Sequence, residues 1–348
     1  MNALWAVECW RGVAALLVVW THWATTLGWH GGIASFAFTG VDIFFVISGF
    51  VFAPQLLGVR PVHVPAYALR RAMRIYPAYL AALCLYAFLA WHGGRPLLYL
   101  PEHVLMAHVQ SREMAFYYSA PFWSLPSEVQ FYVLVPLVAA LSHALGQRVW
   151  PCLLACAVVL RLALLAPADG ATQNLAYLLL HHLPGLLVEF LLGVWAWQRQ
   201  DQPWGAQRRW RWTACGVAGW LASAWLYVQL ERLPGGSGWF NGQLALVAAA
   251  SFACVLAATA HCPKPKGWPG AAGQWAGRLS YGLYLLHPAW TWLPEWTTVR
   301  YGAWAALGAG CLALFASALA LHLLVEEPAR RWGRGMAGRW ERGAAVSL

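Results

Sequence analysis

Apolar positions along this chain gather into about ten runs of roughly 17–22 residues, each long enough to cross a hydrocarbon core ~30 Å thick. The runs lie near 10–28, 41–58, 73–91, 124–145, 150–166, 183–199, 212–230, 242–260, 279–298 and 303–325. They predict an all-α protein, a polytopic bundle of about ten transmembrane helices. No internal repeat or low-complexity tract interrupts the series. One transmembrane domain is expected over residues 1–335, followed by a tail at 336–348.

Composition points the same way. Of 348 residues, 60% are apolar and 10% charged, and mean hydropathy is +0.52. Soluble domains carry roughly a quarter charged residues. The net charge of +10 would suit a phosphate-binding surface, but the basic residues sit in short loops between the runs. That distribution fits the positive-inside rule and argues against nucleic acid. With a cytoplasmic N-terminus, 18 Lys and Arg fall inside, Arg95, Arg112, Arg232 and Arg300 fall outside, and Arg161 lies within a run. Both termini are therefore expected in the cytoplasm. The first run carries Arg11 and His22 and has no small-residue cleavage site, so it reads as a retained span, not a signal peptide. The eight cysteines form no Cys-x-x-Cys pair and do not alternate with His, so no metal is expected.

Titratable residues inside a span cost at least ~2.5–3.5 kcal/mol each at mid-depth and need a reason. Arg11 and His22 are eleven residues apart, close to three full helical turns, which puts them on one stripe about 16 Å apart in depth. They are expected to face one common cavity. Asp42, at the start of GVDIFFVISGF, falls at a depth comparable to His22 and either orients that imidazole or caps its own helix. Arg70, Arg71 and Arg74 in RRAMRIYP form a basic fork suited to phosphates, or a positive-inside anchor. Glu128, in FWSLPSEVQFY with Trp123 and Ser124, is placed near the level of His22. Arg161 and Glu189 read as a structural pair. His287 in RLSYGLYLLHP, with Tyr281 nearby, is a second buried imidazole where Pro288 disturbs the helix. Residues 92–122 form the longest outer loop, and their aromatics and polar groups suit either a sugar acceptor or an interfacial helix. The residues alone thus describe a basic inner mouth and a His/Glu/Asp cluster toward the outer side.

Six strings in order, RGVAALLVVWTH, GVDIFFVISGF, RRAMRIYP, WSLPSEVQFY, SYGLYLLHP and VEEPARRW, resemble the acyltransferase 3 family of integral membrane acyltransferases over about residues 4–332. The resemblance implies transfer of an acyl group, usually acetyl, from cytoplasmic acyl-CoA to a hydroxyl of a glycan, lipid-linked sugar or similar acceptor. It implies a multi-pass protein of the bacterial cytoplasmic membrane, in contact with membrane lipid. By position it makes Arg11 and His22 the essential pair, associates Arg71 and Arg74 with acyl-CoA, and matches Glu128 to the acidic residue of the family's tryptophan-serine-leucine motif. Two features depart from the family pattern: Val129 stands where a second acid is common, and Pro126 where a Ser is common. No esterase-like domain is expected at the C-terminus, which leaves acceptor choice to the membrane domain or to a periplasmic partner protein.

The mechanism expected from these residues has acyl-CoA phosphates on Arg71, Arg74 and Arg70, with the pantetheine arm reaching toward His22. His22 then serves as general base or transient acyl carrier. Catalysis falls to His22, Arg11 and Glu128, with Asp42, Trp123, Ser124, Tyr281 and His287 contacting substrate or supporting the site. The competing reading is a proton-coupled transporter using the buried His, Asp and Glu.

Overall fold

A backbone passing through lipid must satisfy its own N–H and C=O groups, and long apolar runs without strand punctuation do so as helices. In the computed structural model the described residues are 4–27, 32–146, 149–168, 174–200, 204–231, 238–291 and 298–346. Among them there is no strand. In the described residues eleven helices of 17 residues or more form the bundle: α1 (Trp5–Thr26), α2 (Gly40–Leu56), α3 (Val64–His92), α4 (Leu125–Leu145), α5 (Val149–Ala168), α6 (Leu183–Gln200), α7 (Ala206–Glu231), α8 (Gly238–Thr259), α9 (Trp268–Leu286), α10 (Ala303–Leu321) and α11 (Glu327–Val346). Arg232, one of the four basic residues assigned to the outside, lies outside the described residues.

Among the described residues, six helical stretches are long and apolar enough to cross a membrane: Ile33–Leu56, Val64–His92, Ala120–Ala144, Leu175–Gln200, Asn241–Thr259 and Ala303–Gly343. This is fewer than the ten runs counted in the sequence. Of the other helices, α1 carries Glu8 and Arg11, α9 carries Gln274 and Arg278, and α5 is apolar over Val149–Leu165 apart from Arg161.

Lipid offers helices no hydrophobic reason to associate, so close packing through small residues does that work. α1 lies along α9, and α2 along α6. In the first pair Gly12 faces Ala276 and Gly277 faces the Glu8 backbone, and Trp5 donates its indole N–H to the Gly270 carbonyl at 2.9 Å. In the second, Gly49 meets the Phe190 carbonyl and Gly193 meets the Val46 carbonyl, leaving no room for a Cβ on either glycine. α11 packs on α3, and α7 on α8.

The loop between α3 and α4 is folded in, not draped. Tyr79 of α3 donates to the His103 carbonyl at 2.7 Å, and the fully buried rings of His103 and His108 stack at 4.1 Å with an interplanar angle of 11°. Burial pushes both imidazoles toward their neutral forms. For His108 burial and the neighbouring His103 lower the pKa from 6.5 to about 3.

Two predictions follow from this packing. Gly49→Leu or Gly193→Val forces α2 and α6 apart against backbone, which cannot yield as a side chain does. The expected loss exceeds about 3 kcal/mol, visible as a lowered unfolding midpoint of purified protein in detergent. Because the unfolded histidines bind protons that the folded loop refuses, the loop's stability is complete above about pH 6.5 and falls as pH drops toward 3. The opening equilibrium of residues 93–119, read from hydrogen exchange corrected for the base-catalysed intrinsic rate at each pH, is expected to rise by roughly tenfold per pH unit lowered for each histidine involved, and His108→Gln to flatten that dependence.

Candidate functional site

Three cavities follow one another through the bundle. The first, about 700 Å³, opens where the two ends of the chain meet, between the start of α1 and α11. Seven arginines line it (Arg11, Arg60, Arg70, Arg71, Arg74, Arg330 and Arg334) against one carboxylate, Glu8. Trp197, Gln200 and His261 complete its walls. The second is a central chamber of about 80 Å³, which shares Arg11, Arg71, Arg74 and Val51 with the first. Its other polar lining includes Ser48, Ser124, Glu128, Tyr281 and Tyr284. The third is an outer vestibule of about 480 Å³ beside the α3–α4 loop, lined by His22, Asp42, Arg112, Trp123, Arg161, Tyr177, His181 and Asn241 among others.

Arg11 and His22 therefore do not face one common cavity. Arg11 lines the arginine vestibule and the central chamber, His22 only the outer vestibule, and Val41 is the one residue shared by the chamber and the outer space. Residues on one helix stripe share a cavity only where the space beside the helix is continuous. Phe44 of α2 and Tyr284 of α9, with ring centroids 5.6 Å apart, form an aromatic wall of the chamber, and neither lines the vestibule of His22. Tyr284 is locked in that wall: its hydroxyl donates to the Pro121 carbonyl at 2.8 Å and lies 2.6 Å from the Ser124 hydroxyl.

Glu128 also sits elsewhere than its helix position suggested. It belongs to the central chamber with the arginines, not to the His22 vestibule. Ser48 of α2 donates to its carboxylate at 3.1 Å, and the Tyr132 hydroxyl donates to the same oxygen. Pro126 causes no disturbance, because it lies in the first turn of α4, where a backbone N–H has no partner to lose. Tyr281 lines the same chamber, donating to the Ile75 carbonyl at 3.0 Å.

The basic fork divides by partner. Arg70 pairs with Glu341 at 2.7 Å and Arg74 with Glu326 at 3.6 Å. Arg71 instead lies over the rings of Phe52, Tyr67 and Tyr132, 4.9–5.8 Å from their centroids. No carboxylate pairs with Arg71 among the described residues, and its Nε has no hydrogen-bond partner. Glu326, 2% exposed, went unremarked in the sequence except as part of a family string. It pairs with His322 at 2.9 Å, with Arg74, and with Arg330 at 3.4 Å. Its signal was an acid following an apolar run, beside a second acid that draws the eye equally.

On the outer side, His22 Nδ1 bonds to the Val18 carbonyl at 2.8 Å. A carbonyl only accepts, so Nδ1 carries the proton and the neutral ring keeps its lone pair on Nε2. Asp42 shares this vestibule, but Val18 and not Asp42 orients the ring at Nδ1. Asp42 lies instead beside the buried pair formed by Arg161 and Glu189, 3.4 Å apart. Trp123 lines the vestibule edge-on to His181. His287 is fully buried behind His22, with ring centroids 4.8 Å apart. Pro288 explains its orientation. Lacking an N–H, it leaves the Tyr284 carbonyl without its helical donor, and His287 Nδ1 supplies one at 2.9 Å. Its Nε2 has no hydrogen-bond partner.

Comparison with known proteins adds family and kinship. The acyltransferase-domain family matches residues 4–323. A protein of Komagataeibacter xylinus, named as the membrane-bound transacylase BcsY, is 33% identical over 150 residues, which cover 38% of this chain and 36% of that one. The chain thus matches about a third of the length of that relative. No solved structure matches.

The Arg161–Glu189 pair can be told from a catalytic one by thermodynamics. Arg161→Met alone strands a buried carboxylate and is expected to cost about 3–5 kcal/mol. The double variant Arg161→Met/Glu189→Leu is expected to recover most of that loss in a chemical-denaturation series.

Proposed function

The chain belongs to the acyltransferase-domain family and is a multi-pass membrane acyltransferase, and from that premise we propose that it moves an acyl group, acetyl first of all, from acyl-CoA on the cytoplasmic side to a hydroxyl of a glycan, lipid-linked sugar or similar acceptor on the other. In this reading about ten spans form one transmembrane domain over 1–335 with a short tail, both termini are cytoplasmic, and the protein resides in a bacterial inner membrane. The charge asymmetry of the loops supports that orientation.

The observation that carries the proposal is the succession of two unlike cavities with a small chamber between them, walled in part by Phe44 and Tyr284. One is lined by seven arginines whose carboxylate partners among the described residues are Glu8, Glu326, Glu327 and Glu341, a surplus of positive charge that suits a ligand with several phosphates. The other mixes Trp123, Tyr177 and Phe116 with Asp42, Asn241 and two histidines, which suits the apolar faces and hydroxyl edges of a sugar. Arg70, Arg71 and Arg74 take the donor phosphates, Arg71 above all because no carboxylate competes for it. Arg11, lining both the vestibule and the chamber, holds the arm at the chamber entrance.

In the chemical step His22 Nε2 removes the acceptor's hydroxyl proton as that oxygen attacks the thioester carbonyl carbon. The carbon–sulfur bond breaks, the thiolate leaves toward the arginine side, and the imidazolium returns its proton to the sulfur. A well-placed base contributes typically 10²–10⁴-fold. Glu128, held by Ser48 and Tyr132, fixes the chamber through which the thioester passes. Ser124, Tyr281 and His287 support the wall and the imidazole. Passage to His22 requires Phe44 and Tyr284 to part, so the wall keeps water from the thioester until an acceptor is in place.

Wild-type membranes are expected to transfer labelled acetyl from acetyl-CoA to extracted glycolipid or glycan. His22→Ala at matched protein levels is expected to lower the rate at least 10²-fold, and His22→Gln, which keeps volume without a base, equally. Undiminished transfer by either variant would remove His22 from the chemistry.

A further inference from the structure

The family match ends at residue 323, and α11 begins at Glu327. The vestibule nevertheless takes part of its wall from α11, through Arg330 and Arg334, four residues apart on one helix face. Three contacts hold that face in place. Arg70 pairs with Glu341 at 2.7 Å, Gly333 packs close against the Met73 side chain, and Glu326 ties Arg74 to Arg330. The segment His322–Glu326 is a π-type turn, which shifts the register of side chains after it and points Glu326 inward.

The charge on this face does not close on itself. Arg74, Arg330, Arg331 and Arg334 share two carboxylates, Glu326 and Glu327. Arg330 contacts them through Nη1 and Arg334 through Nη2 only, and their side chains are 27% and 50% exposed. Arg331, 74% exposed, does not line the cavity. The carboxylates thus anchor the two guanidinium groups without neutralising the set. A planar guanidinium held at one edge keeps its other N–H groups for a doubly charged phosphate oxyanion.

We propose that Arg330 and Arg334 form a phosphate subsite of the donor cavity, taking a phosphate ester at the nucleotide end of the donor, and that Glu326 is the positioning residue that sets Arg74 and Arg330 at its rim. The proposal rests on the donor reading above. Phosphate esters also occur on lipid headgroups, so the test must separate the two sources.

The full chain is reconstituted in nanodiscs of phosphatidylcholine, and binding of CoA and of pantetheine, which lacks every phosphate, is measured by calorimetry. Arg330→Gln/Arg334→Gln is expected to weaken CoA binding at least tenfold and leave pantetheine binding unchanged. Arg330→Lys/Arg334→Lys is expected to fall between, and Arg331→Gln to match wild type. An unfolding midpoint within a few degrees of wild type certifies the fold of each variant. Wild-type CoA affinity in the double Gln variant overturns the subsite while leaving the donor reading intact. If the wild type itself binds no CoA, the donor reading fails and the subsite with it. In nanodiscs containing phosphatidylglycerol, an affinity for that lipid lost in the double variant, with CoA binding unchanged in neutral discs, assigns the arginines to lipid and overturns the proposal.

Discussion

Charge brought into a medium of low dielectric costs several kcal/mol per ion unless a partner lies within reach. This bundle places ion pairs below its surface, and two of them join different elements: Arg161 of α5 finds Glu189 of α6, and Arg74 of α3 finds Glu326 ahead of α11; nearer the surface, Arg70 of α3 finds Glu341 of α11. Each pair is thus a cross-link as well as a solvation device, and helices that lipid would let drift are held in one arrangement. Arg71 is satisfied differently, by the faces of three aromatic rings. Aromatic faces stabilise a guanidinium without neutralising it, so this charge stays available where the vestibule meets the chamber.

The second organising fact is the wall. Phe44 and Tyr284 wall the central chamber ring against ring, and Tyr284 is pinned by Pro121 and Ser124. Ser124 thus acquires a role from its position before α4. The same proline-broken end of α9 that frees the Tyr284 carbonyl also directs His287 to it, so wall and imidazole pair share one local irregularity. Glycine contacts between α1 and α9 bring that irregularity close to His22.

Much of the site was legible in one dimension because bilayers make polar residues conspicuous. Arg11, His22, Asp42, Glu128 and His287 stand out as titratable groups in apolar runs, and each lines a cavity or packs beside one. Their grouping was not legible. Depth along a helix can be counted from its ends, which put Glu128 level with His22, but a cavity depends on which side chains from other helices fill the space between. Arg330 and Arg334 were equally visible as charges, yet positive-inside anchoring accounts for any terminal arginine, and nothing local distinguishes the two that turn inward from Arg331, which does not.

The run lengths, the loop charges and the ordered motifs determined by themselves that this is an all-helical membrane protein of the acyltransferase family, because each is a property of consecutive residues and needs no knowledge of neighbours. Tertiary structure decided what those motifs face. It set Arg11 and Glu128 in one chamber and His22 in another, gave Asp42 the company of Arg161 and Glu189, and folded α11 back onto α3. Those outcomes turn on contacts between residues up to 271 positions apart, as between Arg70 and Glu341. Such contacts are selected by packing and charge pairing across helices, for which the order of residues along any one helix holds no record.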